Sequence, residues 1–132
     1  MHFPSPEWAA AFRAALNESI AFQEAAKAWE ADILFLVRTP GSAAPAPAVR
    51  LHLSHGSCLA ADFHPDGVAI AAEFVFEGTP ENWAKLLRSE LDPVRSFMDG
   101  TFKVRGNLAK ALRFTRAAKE LVETASGIPV SD

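Results

Sequence analysis

Apolar residues along the first thirty positions recur at three- and four-residue steps, at Trp8, Phe12, Ala15, Phe22, Ala26 and Trp29, with Leu16 and Ile20 widening the stripe. Arg13, Glu18, Glu24 and Lys27 lie mostly off it, so the pattern predicts one long amphipathic helix laid across a core. Ser5-Pro6-Glu7 marks its start: a side-chain cap, a proline at the first helical position and an acid near the positive end of the helix dipole. The period then changes. "DILFLVR" at 32–38 is apolar on both parities, as a central strand is, and "VRLHLSH" at 49–55 sets Val49, Leu51 and Leu53 against Arg50, His52 and Ser54. The intervening "TPGSAAPAPA" cannot continue a sheet and is predicted to be a mobile loop. His55-Gly56-Ser57 predicts a hairpin turn into "CLAADF", and "HPDG" at 64–67 predicts a second turn into the strand "VAIAAEFVF".

Thr79-Pro80-Glu81 repeats the helix-start chemistry, with Trp83, Leu86 and Leu87 as the apolar side and an end near Leu91-Asp92-Pro93. Thr101, Lys103 and Arg105 alternate with Phe102 and Val104, which describes a short strand with one wet face. Gly106 turns the chain and Asn107 caps a last helix striped by Leu108, Ala111, Leu112, Thr115, Ala118, Leu121, Val122 and Ala125, ended by Ser126-Gly127-Ile128-Pro129. The order α, β, β, β, β, α, β, α predicts an α+β fold: a mostly antiparallel sheet of five strands with helices segregated to one face.

Length and charge narrow the picture. At 132 residues the chain is expected to form one domain, 1–132, with a core large enough to need no disulfide or metal. Its 13 Lys+Arg against 16 Asp+Glu, a formal net charge of −3, disfavour nucleic acid as a partner. The single cysteine, Cys58, excludes an internal disulfide and suits a reducing cytoplasm. The start "MHFPSPEW" has no signal-peptide pattern and the longest strongly apolar run, "ILFLV", is far short of a membrane span, so a cytoplasmic chain without a transmembrane segment is expected. Ten Phe and three Trp without any Tyr bring bulk and almost no hydroxyl chemistry.

Candidate catalytic groups do not assemble into a site. His52, His55 and Cys58 are three apart, but that spacing alternates faces on a strand and the turn at 55–57 splits the set, so a shared metal ion is not expected. Asp92 and Asp99 flank Phe97-Met98 at positions a turn would want, with no histidine or nucleophile tied to them by spacing. Cys58 reads as a small buried residue and His64 as part of a turn. Neither an enzyme nor a cofactor is expected. Arg38, Arg50, Lys103 and Arg105 should share the wet face of the sheet against Glu73, as a solvated surface or a patch for anionic headgroups or an acidic partner. Leu34 and Leu36 share that parity and imply a weak dimer contact or a covering segment.

From about Ala31 to Leu121 the chain resembles the sterol carrier protein 2 domain, in the stand-alone form of bacteria and archaea. The likeness is densest in "LDPVRSFMDGTFKVRGNLAKAL", where Leu91, Pro93, Phe97, Gly100, Lys103, Gly106, Asn107, Ala109 and Leu112 fit the family's pattern, and "GTPENWAKLL" resembles the helix before it. The "TPGSAAPAPA" loop, 39–48, replaces a tighter connection and is a candidate gate. The resemblance implies a non-catalytic lipid carrier with an apolar tunnel between sheet and helices, holding a fatty acyl, phospholipid, isoprenoid or sterol-like ligand. An alternative is an accessory protein that presents a lipid-like intermediate to the enzymes of a biosynthetic complex. The lining expected from the sheet is Phe35, Leu51, Leu53, Phe74, Phe76 and Phe102; from the middle helix and the segment after it, Trp83, Leu87, Phe97 and Met98; and from the last helix, Leu108, Ala111, Leu112 and Ala118. Partners are then a lipid or other apolar small molecule, with transient membrane contact, in a monomer or weak homodimer.

Overall fold

The computed structural model describes residues 1–131, with helices α1 (Pro6–Glu18), α2 (Ile20–Ala25), α3 (Pro80–Leu87), α4 (Pro93–Met98), α5 (Leu108–Arg113) and α6 (Thr115–Ser126). Its strands are β1 (Glu30–Val37), β2 (Ala48–Ser54), β3 (Ser57–His64), β4 (Phe74–Gly78) and β5 (Lys103–Arg105). They form one sheet in the order β3-β2-β1-β4-β5. Only the β1–β4 pair is parallel; the other three neighbours are antiparallel, so the sheet is mixed. The expected α+β fold is what forms.

Two expected helices are each divided. Ser19 sits between α1 and α2 in an extended conformation, and its side chain accepts from the Phe22 amide at 3.1 Å, recapping the chain. A hydroxyl that can satisfy a helix's orphan amides competes with continuing the helix. The break swings Ile20 out to 75% exposure while Phe22, Ala26 and Trp29 stay buried. At the other end Phe114, at φ −110° and ψ 27°, separates α5 from α6, and its ring stacks on Trp29 at 5.5 Å between centroids.

The inner face of the sheet carries Ile33, Phe35, Val49, Leu51, Leu53, Phe74 and Phe76, buried against Trp8, Phe12 and Leu16 of α1, Trp83 of α3 and Leu121 and Val122 of α6. Trp83 satisfies its indole by donating from Nε1 to the Leu36 carbonyl at 2.9 Å. On the outer face Leu34, Leu36 and Ala48 are buried with Ala46, against Ile70, Ala72 and Val75. The cover is residues 65–73, expected as the end of a turn followed from Val68 by a strand; the strand begins only at Phe74. Gly67 makes that cover possible, since a Cβ there would lie 2.4 Å from the Cβ of Ala48. The apolar outer positions are therefore closed by the chain itself. The rest of that face is polar: Asp32 accepts from Arg50 at 2.8 Å and contacts Nδ1 of His52 at 2.5 Å, and Arg105 meets Glu77 at 3.2 Å. Glu73, expected there, instead pairs with Lys110 of α5.

Candidate functional site

The segment between α3 and β5 folds as a helix, where its sequence suggested only a turn. Asp92 caps α4 by accepting from the amides of Val94 at 2.9 Å and Arg95 at 3.3 Å, and Pro93 occupies the first helical position. Asp99 ends it, accepting from the Thr101 amide at 2.9 Å and hydroxyl at 2.6 Å, and those bonds hold its carboxyl below the usual range. Both carboxylates thus serve the local backbone. Phe102 then enters the core, edge-on to Trp83 with centroids 4.9 Å apart. Two residues later Val104 points to the same face of the sheet beside its partner Phe76. Gly106, at φ 131° and with room for a Cβ denied by the Glu73 carbonyl at 2.4 Å, turns the chain into α5, which Asn107 caps by accepting from the Lys110 amide at 3.1 Å.

Helix α5 has no buried residue. Lys110 holds it to the end of the sheet through Glu73, at 2.5 and 3.0 Å, and the Glu30 carbonyl at 3.1 Å, and the Phe114–Trp29 stack holds the far end. Between these tethers α5, α4, the start of α6 and the β4–β5 edge enclose an open-mouthed cavity of about 230 Å³. Phe76 and Val104 form its floor, Val94, Phe97 and Met98 one wall, and Leu108, Ala111, Leu112, Thr115 and Ala118 the other. Where α1 and α3 send Trp, Phe and Leu toward the sheet, these helices present Ala111 and Ala118, and the smaller side chains leave the space. Thr115 donates its hydroxyl to the Leu112 carbonyl at 2.8 Å, so the one polar lining side chain is already satisfied. No titratable residue is among the lining. The cavity can select by shape and apolar contact and offers no acid, base or nucleophile.

Of the expected lining, Phe76, Phe97, Met98, Leu108, Ala111, Leu112 and Ala118 come together here. Phe35, Leu51, Leu53, Phe74, Trp83, Leu87 and Phe102 lie instead in the packed core and do not touch the cavity. Phe97 stands at the boundary, its ring 4.8 Å from Phe76 and 6.0 Å from Phe102. Val94, Val104 and Thr115 also line the space. Val94 escaped the sequence reading because α4 looked like a turn; the Asp92-Pro93 pair, a cap followed by the favoured first helical residue, was the available signal.

The candidate nucleophile and bases lie elsewhere. Cys58 is on β3, the opposite edge of the sheet from β5, about 19 Å away at ~4.8 Å per strand. Burial pushes its thiol up to about 11, and it donates to the Ala60 carbonyl at 3.3 Å. His52 is paired with Asp32, and His55 with Glu30 at 3.3 Å. Among the described residues no three His, Cys, Asp or Glu side chains converge on a metal position, and no helix is long and apolar enough to cross a membrane.

The same architecture recurs in solved structures. A crystal structure described as sterol carrier protein 2 superposes with a TM-score of 0.87 at 32% identity, covering 95% of this chain and 98% of that one. The solution structure of a conserved protein from Thermus thermophilus, described as a candidate sterol carrier, gives 0.86 at 31% identity over 99% of this chain and 92% of its own. Sterol carrier protein 2 from Yarrowia lipolytica shares the fold at a TM-score of 0.55 and 18% identity, over 90% and 89% of the two chains. No curated protein is similar enough in sequence to count as a match. Lipid binding and transport follow from the family that these structures represent. Its model matches residues 10–119, and the chain belongs to the SCP-2 sterol transfer family.

Proposed function

We propose that the protein is a non-catalytic carrier that holds one acyl, isoprenoid or sterol-like chain in the cavity between α4, α5–α6 and the β4–β5 edge. The observation that carries this is the cavity's chemistry: about 230 Å³ lined by apolar side chains and one threonine whose hydroxyl is already bonded. A chain burying about ten methylenes at ~0.8 kcal/mol each gains roughly 8 kcal/mol gross. After ordering costs that leaves affinity of about micromolar or weaker, which suits a carrier that must also release. Met98, unbranched and 73% exposed, is suited to adapt the mouth to ligands of different shape.

Native mass spectrometry of protein purified from cells, together with titration of a fluorescent fatty acid, tests the reading. Co-purifying lipid and saturable uptake are expected. Only the bare protein mass and no uptake would overturn it. Alanine at Ser57, Cys58, His52 or His64 is expected to leave uptake unchanged, because these residues lie outside the cavity.

A further inference from the structure

Charge along the chain is divided as sharply as its apolar surface. Residues 93–119, which build α4, β5, α5 and the start of α6, hold seven Lys and Arg against one acid, Asp99. With 13 basic and 16 acidic residues in all, the remainder holds six against fifteen. The overall charge of −3 therefore conceals a basic segment in an acidic chain; within that segment Lys103 and Arg105 project from the outer face of the sheet, away from the cavity. Three of its cations are engaged by carboxylates, Arg105 by Glu77, Lys110 by Glu73 and Lys119 by Glu123. Arg95, Lys103, Arg113 and Arg116 are exposed and make no salt bridge among the described residues.

The helices that carry Arg95 and Arg113, α4 and α5, also carry a cluster of large exposed apolar side chains, Met98 at 73%, Leu112 at 64% and Leu108 at 57%, all lining the open-mouthed cavity. Ile20 on α2, Leu59 on β3 and Val68 in the loop before β4 are exposed singly. Arg95 lies one turn before Met98 on α4, Arg113 follows Leu112, and Arg116 stands one turn beyond it. We propose that this mouth is a docking surface for an anionic phospholipid membrane, with Met98, Leu108 and Leu112 entering the acyl boundary and Arg95, Arg113 and Arg116 resting among the headgroups. The proposal rests on the carrier reading of the cavity and gives it a partner. Charge complementarity selects the occupant: a surface that meets both the cations and the apolar mouth must offer negative charge and acyl chains together, which nucleic acid does not. In that pose the cavity opens into the bilayer, so a ligand crosses without passing through water.

Flotation of the full chain with vesicles tests this, comparing phosphatidylcholine alone with phosphatidylcholine containing roughly a third phosphatidylglycerol. Binding to the anionic vesicles only, weakened by salt, is expected. Arg113→Gln/Arg116→Gln should weaken it roughly 30-fold, from the usual contribution of a basic residue near such a surface, with unchanged melting and unchanged uptake of a fluorescent fatty acid from solution. Ile20→Ser, on α2, should bind as the wild type does. Equal binding to both vesicles, binding indifferent to the arginine pair, or no vesicle binding by protein that takes up fatty acid would each overturn the proposal. So would absent vesicle binding with self-association through Leu108 and Leu112, or with binding of nucleic acid. Charge-dependent vesicle binding without uptake from solution would uphold the docking surface while removing the carrier reading.

Discussion

The two ends of the sheet handle apolar residues in opposite ways. Toward β1 and β2, Phe35, Leu51 and Leu53 meet Trp8, Phe12 and Leu16, and all six are 0% exposed. Toward β5, Phe76 and Val104 face Ala111, Ala118 and an α5 with no buried residue, and a cavity remains. Both regions have amphipathic helices over the inner face of one sheet. What separates them is side-chain volume: two indoles and several phenyl rings fill one end, and alanines stand at the matching places in the other. Apolar pattern alone does not distinguish a core from a binding cavity; the sum of volumes across the facing layers does.

Truncation in the filled end should produce the strongest response. Phe35 stacks on Phe76 at 5.8 Å and tilts against Trp83 at 5.0 Å, so Phe35→Ala is expected to destabilise by about 3 to 5 kcal/mol in denaturant unfolding. A change below about 1 kcal/mol would erase the contrast between the two ends. Enlarging the open end tests the same contrast from the other side. Ala118→Phe places a ring in space available to about four methylenes of ligand, which should weaken fatty acid binding by about two hundredfold. Its melting temperature should hold or rise. Overpacking in a filled site instead costs about 1 to 3 kcal/mol, so a destabilised variant with normal uptake would return Ala118 to the core.

The wall of the cavity depends on a short helix with few buried anchors, and its cap should matter measurably. Asp92→Ala removes the acceptor for two amides of α4 and should cost about 1 kcal/mol, with amide hydrogen exchange rising in residues 93–98 before any change in β1 or β2. Exchange that rises uniformly would mean the wall is no softer than the core. At neutral pH the smallest effect is expected at the far edge. Burial raises the Cys58 pKa from 9.0 to about 11, so the folded state holds its proton more tightly than the unfolded chain. Its contribution to stability is complete below about pH 9 and is lost as pH rises toward 11. Cys58→Ala should flatten that alkaline decline, and native protein at neutral pH should resist alkylation; rapid labelling would show the β3 edge to be open.

Element identity was written locally, because caps and periodicity act within a few residues. Ser5-Pro6, Thr79-Pro80 and Gly106-Asn107 start helices where their side chains can take up orphan amides, and the alternation of Val49, Leu51 and Leu53 placed them inside. The α+β class with five strands followed from that order, whereas the seven expected residues that line the cavity were named only through the family resemblance. Tertiary structure decided the rest. Ser19 is able to cap a helix or to sit within one, and the fold selects the cap; the cover over Leu36 depends on how closely Gly67 approaches Ala48. Which apolar stripe is filled and which is left open depends on what faces it from residues dozens of positions away. By its spacing alone Ala118 is an ordinary helix former, and the resemblance is what marked it as lining; the position of Val104 and Phe76 beneath it turns its missing volume into a cavity.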